Sequence, residues 1–167
     1  AAGIGDVLGS DAPRIADLEP NLRVKLDRIA DSLPPMEVED PSGEAKVLVL
    51  GWGSTYGPIG AACRRVRRAG YHVAQAHLRH LNPFPNDLGE VLKRYDKVLV
   101  PEMNLGQLSL LLRAKYLVDA IGYNQVNGMP IKAAELAEAV GHLVAEAEGI
   151  PLEELDLSVA TSQEVHQ

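Results

Sequence analysis

Between positions 51 and 60 the chain reads GWGSTYGPIG, four glycines and the aliphatic hydroxyls of Ser54 and Thr55 leading into a helical pattern. Such a segment can aim backbone N–H groups and the positive end of a helix dipole at a phosphate or carboxylate. The glycine spacing matches neither the dinucleotide fingerprint nor the P-loop, and no lysine follows the last glycine. A tight turn followed by a helix cap is therefore the favoured reading of these residues, ahead of an anion cradle. A second polar group, Glu102, Asn104 and Gln107, follows the apolar run KVLVPE. Polar groups placed beside a buried strand must be hydrogen-bonded, either to the adjoining turn or to a partner surface. Trp52, Gly53, Ser54, Thr55, Glu102, Asn104 and Gln107 are thus the candidate binding or interface residues.

Other reactive side chains are arranged less favourably for catalysis. Strand alternation turns His72 and His77 to opposite faces, and His80 lies past the expected strand end, so the three do not form a metal-ligand set. Cys63 falls on the apolar face of a helix, where a thiol behaves as a small hydrophobe. Ser54 has no assignable base. Arg64, Arg65, Arg67 and Arg68 crowd the last turns of the same helix as Cys63, where cations complement the carbonyl end of the dipole. The alternative for that cluster is docking on an acidic partner.

Three apolar runs position these groups: KVLVLG (46–51), HVAQAHL (72–78) and KVLVPE (97–102). Each ends in a turn rich in Gly, Pro or Asn, and each turn opens into a helical pattern. Ser54 or Thr55 is placed to cap a helix through Ile59, Cys63 and Val66 that stops at Gly70. Asn86 or Asp87 is placed to cap one through Leu88, Val91, Leu92 and Tyr95, and Asn104 one through Leu105, Leu108, Leu112 and Tyr116. A fourth strand is expected near Tyr123–Val126 and a last helix through Leu136, Val140, Leu143 and Ala147. The order βαβαβαβα predicts an α/β fold with an open, mainly parallel sheet and helices on both faces. Such sheets gather binding surfaces at the carboxyl ends of their strands, where the candidate residues lie.

The expected organisation is an unassigned flank over 1–19, a helix and Pro-rich linker over 20–44, the α/β domain over 45–149 and a tail over 150–167 that forms a short helix and frays. Leu22, Leu26, Ile29 and Ala30 give the first helix a narrow apolar stripe, with Pro20 in its first turn. PPMEVEDPSG (34–43) holds three prolines and three acids and favours extended backbone that buries little. The chain begins with Ala and reads as an excised or processed fragment, the alternative being a short protein that has lost its initiator Met.

At 167 residues the chain can bury a substantial core. Its net charge of −7 argues against a nucleic-acid partner, and no apolar run is long enough to cross a membrane as a helix. A single cysteine points to a reducing cytoplasm and rules out an iron–sulfur cluster held by this chain alone.

WGSTYGPIG (52–60), HLRHLNPFP (77–85) and VPEMNLGQLSLLLR (100–113), in this order and spacing, resemble the carboxyl-terminal domain of the alpha subunit of 2-oxoacid:ferredoxin oxidoreductases, most of all the 2-oxoglutarate enzymes. EMNLGQL is the most specific of the three; the resemblance also takes in NLRVKLDRIA and GMPI and runs from Asn21 to Val140. It implies a transketolase C-terminal-like fold and a parent enzyme that converts 2-oxoglutarate and coenzyme A to succinyl-CoA while reducing ferredoxin. It further implies that thiamine diphosphate, magnesium and a four-iron four-sulfur cluster are carried elsewhere in that enzyme, mainly by the beta subunit. This chain then has no catalytic residue of its own. Its partners are the upstream region of the alpha subunit and the beta subunit, met through the strand-end turns around Trp52, Ser54, Glu102, Asn104 and Gln107. The alternative is a stand-alone binder of phosphate or nucleotide.

Overall fold

The computed structural model describes residues 15–157. They divide between two compact units. One comprises the chain up to Pro34 together with His80–Asn86. Its main element is helix α1, Ile15–Ser32. The helix begins before Pro20, which lies inside it instead of in its first turn. Leu22, Leu26 and Ile29 keep between 36% and 56% of their surface exposed, whereas Ala30 is buried. The Ser32 hydroxyl donates to the Ile29 carbonyl at 2.7 Å, and the Asn86 amide donates to Asp31 Oδ1 at 2.8 Å.

The second unit, Pro35–Arg79 with Asp87 onward, is an α/β layer structure. Its elements are β1 Val38–Glu39, β2 Val47–Trp52, α2 Tyr56–Arg68, β3 Ala74–Leu78, α3 Leu88–Leu92, β4 Lys97–Glu102, α4 Gln107–Tyr116, β5 Ala120–Asn124 and α5 Ala133–Glu148, with 3-10 turns at Gly53–Thr55 and Leu152–Glu154. The sheet order is β1-β3-β2-β4-β5. β2, β3, β4 and β5 run parallel, Leu50 standing beside Ala76 and Val49 beside Leu99, and β1 is antiparallel to β3.

Alternation along the strands builds two cores. Val47, Val49 and Leu99 face one way and join Ile59, Ala62, Cys63 and Val66 of α2 and Leu136, Val140 and Val144 of α5. Leu48, Leu50, Val98 and Val100 point the other way and are also buried, on the side of α3 and α4 with their buried Leu88, Leu92, Leu108 and Leu112. The division follows from handedness. The chain steps from β2 outward to β3, then back past β2 to β4 and on to β5. Right-handed crossovers therefore put α2 on one face and α3 and α4 on the other.

Three local expectations are corrected. The Pro-rich segment supplies a strand: Val38 and Glu39 pair with Ala76 and Gln75. Arg67 fixes it there, donating from Nη2 to the Glu39 carbonyl at 2.8 Å, from Nε to the Val73 carbonyl at 2.9 Å, and from Nη1 to the Glu39 carboxylate. One member of the arginine cluster is thus a structural clamp. The fourth parallel strand starts at Ala120 instead of Tyr123, because Leu117 ends α4 in the left-handed region (φ 55°) without a glycine to mark the stop. The helix expected through Tyr95 ends at Leu92.

Candidate functional site

Connections leave β2 and β4 in opposite directions, so the crevice between their carboxyl ends is the switch point of the sheet, where α/β folds of this kind bind their ligands. A cavity of about 280 Å³ opens there, lined by Trp52, Gly53, Ser54, Thr55, Met103 and Asn104. Five of the seven candidate residues are therefore neighbours in space.

Each wall is held by its own backbone. After β2 the chain makes the 3-10 turn with Gly53 at φ 57°. Thr55 is buried, and its hydroxyl does not cap α2; Oγ1 accepts the Trp52 N–H at 3.1 Å and donates to the Trp52 carbonyl at 2.8 Å. Ser54 is left exposed at the rim. Gly51, just before the turn, is required by packing: a Cβ there would stand 2.5 Å from Ile59 Cδ1 and 3.0 Å from both His77 Nδ1 and Thr55 Oγ1. The indole N–H of Trp52 is buried without a partner among the described residues.

The opposite wall is EMNLGQL. Glu102 is fully buried at the end of β4, and its carboxylate accepts the N–H of Leu108 at 3.0 Å and of Ser109 at 2.8 Å. It caps α4 from the preceding strand, joining a negative charge to the positive end of the dipole. Asn104 Oδ1 accepts the N–H of Gly106 at 2.7 Å and of Gln107 at 3.2 Å, folding the loop back toward the helix. Gly106 occupies the left-handed region at φ 91°. Gln107 is exposed on the first turn of α4, outside the cavity lining. The switch point therefore presents Ser54, Trp52, Met103 and Asn104, while Glu102 faces inward.

Sequence reasoning did not find a larger cavity of about 530 Å³ beside the β1 edge, lined by Glu37, Val38, Glu39, Tyr56, Ile59, Gln75, Ala76, His77 and Arg79. Its acidic wall could not be read, because a two-residue strand among prolines carries no periodic signal. His77 packs edge-on against Tyr56 with ring centroids 5.1 Å apart. Partial burial, with help from the Arg79 guanidinium, lowers its pKa below the ordinary 6.5. Cys63 is at the opposite extreme. Burial pushes its thiol up to about 12, against a smaller opposing pull from Arg67. A thiol in that state is neither a nucleophile nor a ready metal ligand. No group of three or more His, Cys, Asp or Glu side chains able to hold a metal ion occurs among the described residues.

Residues 45–135 match the family described as pyruvate:ferredoxin oxidoreductase core domain II. The chain belongs to that family. The matched span starts just before β2 and ends in α5, so domain II takes in both walls of the switch point. Among curated relatives, 2-oxoglutarate oxidoreductase subunit KorA of Mycobacterium tuberculosis is 51% identical over 157 residues, 93% of this chain and 23% of that protein. The alpha subunit of 2-oxoacid:ferredoxin oxidoreductase 2 of Aeropyrum pernix is 37% identical over 108 residues, 63% of this chain and 17% of that protein. Among solved structures, 2-oxoglutarate:ferredoxin oxidoreductase from Magnetococcus marinus, with 2-oxoglutarate, coenzyme A and succinyl-CoA bound, aligns at a TM-score of 0.70 and 30% identity, covering 81% of this chain and 25% of that one. The chain spans about a quarter or less of each of these proteins.

Proposed function

We propose that this chain is the carboxyl-terminal domain of the alpha subunit of a 2-oxoglutarate:ferredoxin oxidoreductase, an enzyme that turns 2-oxoglutarate and coenzyme A into succinyl-CoA and reduces ferredoxin. The 51% identity to a KorA subunit over 93% of the chain carries this reading. Within that enzyme the domain is structural, of transketolase C-terminal-like fold. It holds subunits in register, using the strand-end rim of Trp52, Ser54, Met103 and Asn104 to meet neighbouring protein. Thr55 Oγ1 takes up the Trp52 N–H, one of the donors an anion would use, which supports this role over that of a free-standing phosphate or nucleotide binder.

Thiamine diphosphate and magnesium belong, on this reading, to the rest of the assembly, and so does the four-iron four-sulfur cluster. A cluster needs about four thiolates. This chain offers one thiol, sealed in an apolar core and protonated to about pH 12. The enzyme works in the cytoplasm, with the upstream region of the alpha subunit, the beta subunit and ferredoxin as its partners.

The test is reconstitution. The 167-residue chain given 2-oxoglutarate, coenzyme A, thiamine diphosphate, magnesium and an electron acceptor should form no succinyl-CoA, while the full alpha subunit combined with the beta subunit should do so. Turnover by the isolated chain, or micromolar binding of nucleotide to it by calorimetry, would overturn the proposal.

A further inference from the structure

Helix α4 is apolar on two opposite sides. Leu108, Ser109 and Leu112 are buried toward β4 and β5. On the far side, at helical spacing, stand Leu110, Leu111, Ala114 and Leu117, with the three leucines 68%, 55% and 89% exposed. The loop leading into α4 adds Met103 at 44% and Leu105 at 80%. A helix with apolar stripes on two opposite sides buries only one of them against its own sheet, and a monomer rarely leaves a large contiguous apolar patch uncovered. Among the described residues of its own unit, nothing covers this one.

The charges around the stripe restrict what does. Gln107–Leu117 contains two cations, Arg113 and Lys115, and no acid, in a chain whose net charge is −7. A second copy using the same face would bring Arg113 and Lys115 close to their own equivalents across a two-fold axis, with like charges opposed. A second copy using a different face would need a head-to-tail contact, closing into a ring or running on as a filament, and would have to set an acidic face against Arg113 and Lys115. Contacts between domains of one chain are on the whole more polar than this, whereas permanent interfaces between subunits are the apolar ones.

We infer that the outer face of α4, with Leu110, Leu111 and Leu117 as anchors, is a permanent docking surface for a different subunit of the enzyme, through an apolar patch flanked by carboxylates. This rests on the reading of the chain as part of an oxidoreductase alpha subunit, and it names a surface distinct from the switch-point rim. Arg113 is the rim charge that sets the salt sensitivity of the encounter.

The experiment uses the whole alpha subunit co-expressed with its companion subunit. A photoreactive benzoylphenylalanine replaces Leu110, and cross-links are mapped by mass spectrometry. The expected product joins Leu110 to the companion subunit within a stretch containing Asp or Glu. In parallel, Arg113→Glu should weaken association about tenfold at low salt and much less at high salt, and Leu110→Glu should release free alpha subunit. If the two subunits co-purify but position 110 cross-links only within the alpha subunit, to a second alpha subunit or to nothing, the inference falls and the function proposed above stands. If the unmodified subunits do not associate, both fall. Should Leu110→Glu fail to fold, Arg113→Glu and the cross-link decide the matter.

Discussion

Removing the charge of Glu102 tests whether this carboxylate is the cap that starts α4. It is fully buried, and its two oxygens accept the N–H groups of Leu108 and Ser109 at 3.0 Å and 2.8 Å. Glu102→Gln keeps the shape and one acceptor but turns an NH2 toward the other N–H. One hydrogen bond to a charged group is lost, worth about 1.5–3 kcal/mol. The charge–dipole attraction lost with it is worth about 0.3–2 kcal/mol. Together the cost is about 2–5 kcal/mol, a large part of the ~5–15 kcal/mol that holds a typical domain together. Glu102→Ala should cost at least as much, since it leaves two buried donors unpaired at about 1–3 kcal/mol each and opens a cavity as well. Gln107→Ala is the internal control: Gln107 is exposed, and the substitution should change stability by no more than about 0.5 kcal/mol. Urea unfolding of the three variants, followed by far-ultraviolet circular dichroism, measures all of these. A cost below about 0.5 kcal/mol for Glu102→Gln, within the range of an ordinary surface change, would refute the capping argument.

Gly51→Ala forces a methyl group to within 2.5 Å of Ile59, so urea unfolding should show a loss of about 1–3 kcal/mol. Arg67→Met removes three hydrogen bonds between α2, Glu39 and Val73; amide exchange of Val38 and Glu39 should accelerate while the centre of the sheet, Val49 and Leu99, stays protected. His77 adds a pH dependence. Its pKa is lowered in the folded chain, so the unfolded chain binds the proton more readily, and stability is lost as pH falls from above 6.5 toward the folded value. Unfolding free energies at pH 7.5 and 5.5 should therefore differ less in His77→Gln than in the wild type, and an unchanged difference would assign the slope to other groups.

The parallel sheet was legible because KVLVLG and KVLVPE are continuous apolar runs, as strands buried on both faces must be. The antiparallel edge was not. Val38 and Glu39 are held by Arg67 and Gln75, residues from elsewhere in the chain, and no local pattern announces such a contact. The end of α4 was invisible for a similar reason, since Leu117 takes a left-handed conformation that sequence rules assign to glycine. At the candidate site the residue types were legible, but their directions were not. For Glu102 and Asn104 the adjoining turn and a partner surface were both open until the N–H donors of the next helix were placed, and then the first proves to be an interior cap.

That outcome explains why EMNLGQL can be so specific on structural grounds alone. Glu102 must be a carboxylate to serve two N–H groups, Asn104 folds the loop through its Oδ1, and Gly106 must accept φ 91°. Leu108 must fill the core while Ser109 closes the turn on the Gly106 carbonyl at 2.9 Å. Every one of these demands is set by the backbone at one strand-to-helix junction. The residues free of such demands, Met103, Leu105, Leu110, Leu111 and Leu117, are apolar although water surrounds them in the isolated chain. Nothing in the folding of the domain calls for leucine there. A protein surface laid over them would account for their hydrophobicity, and the Leu110 cross-link is the measurement that asks whether one is there.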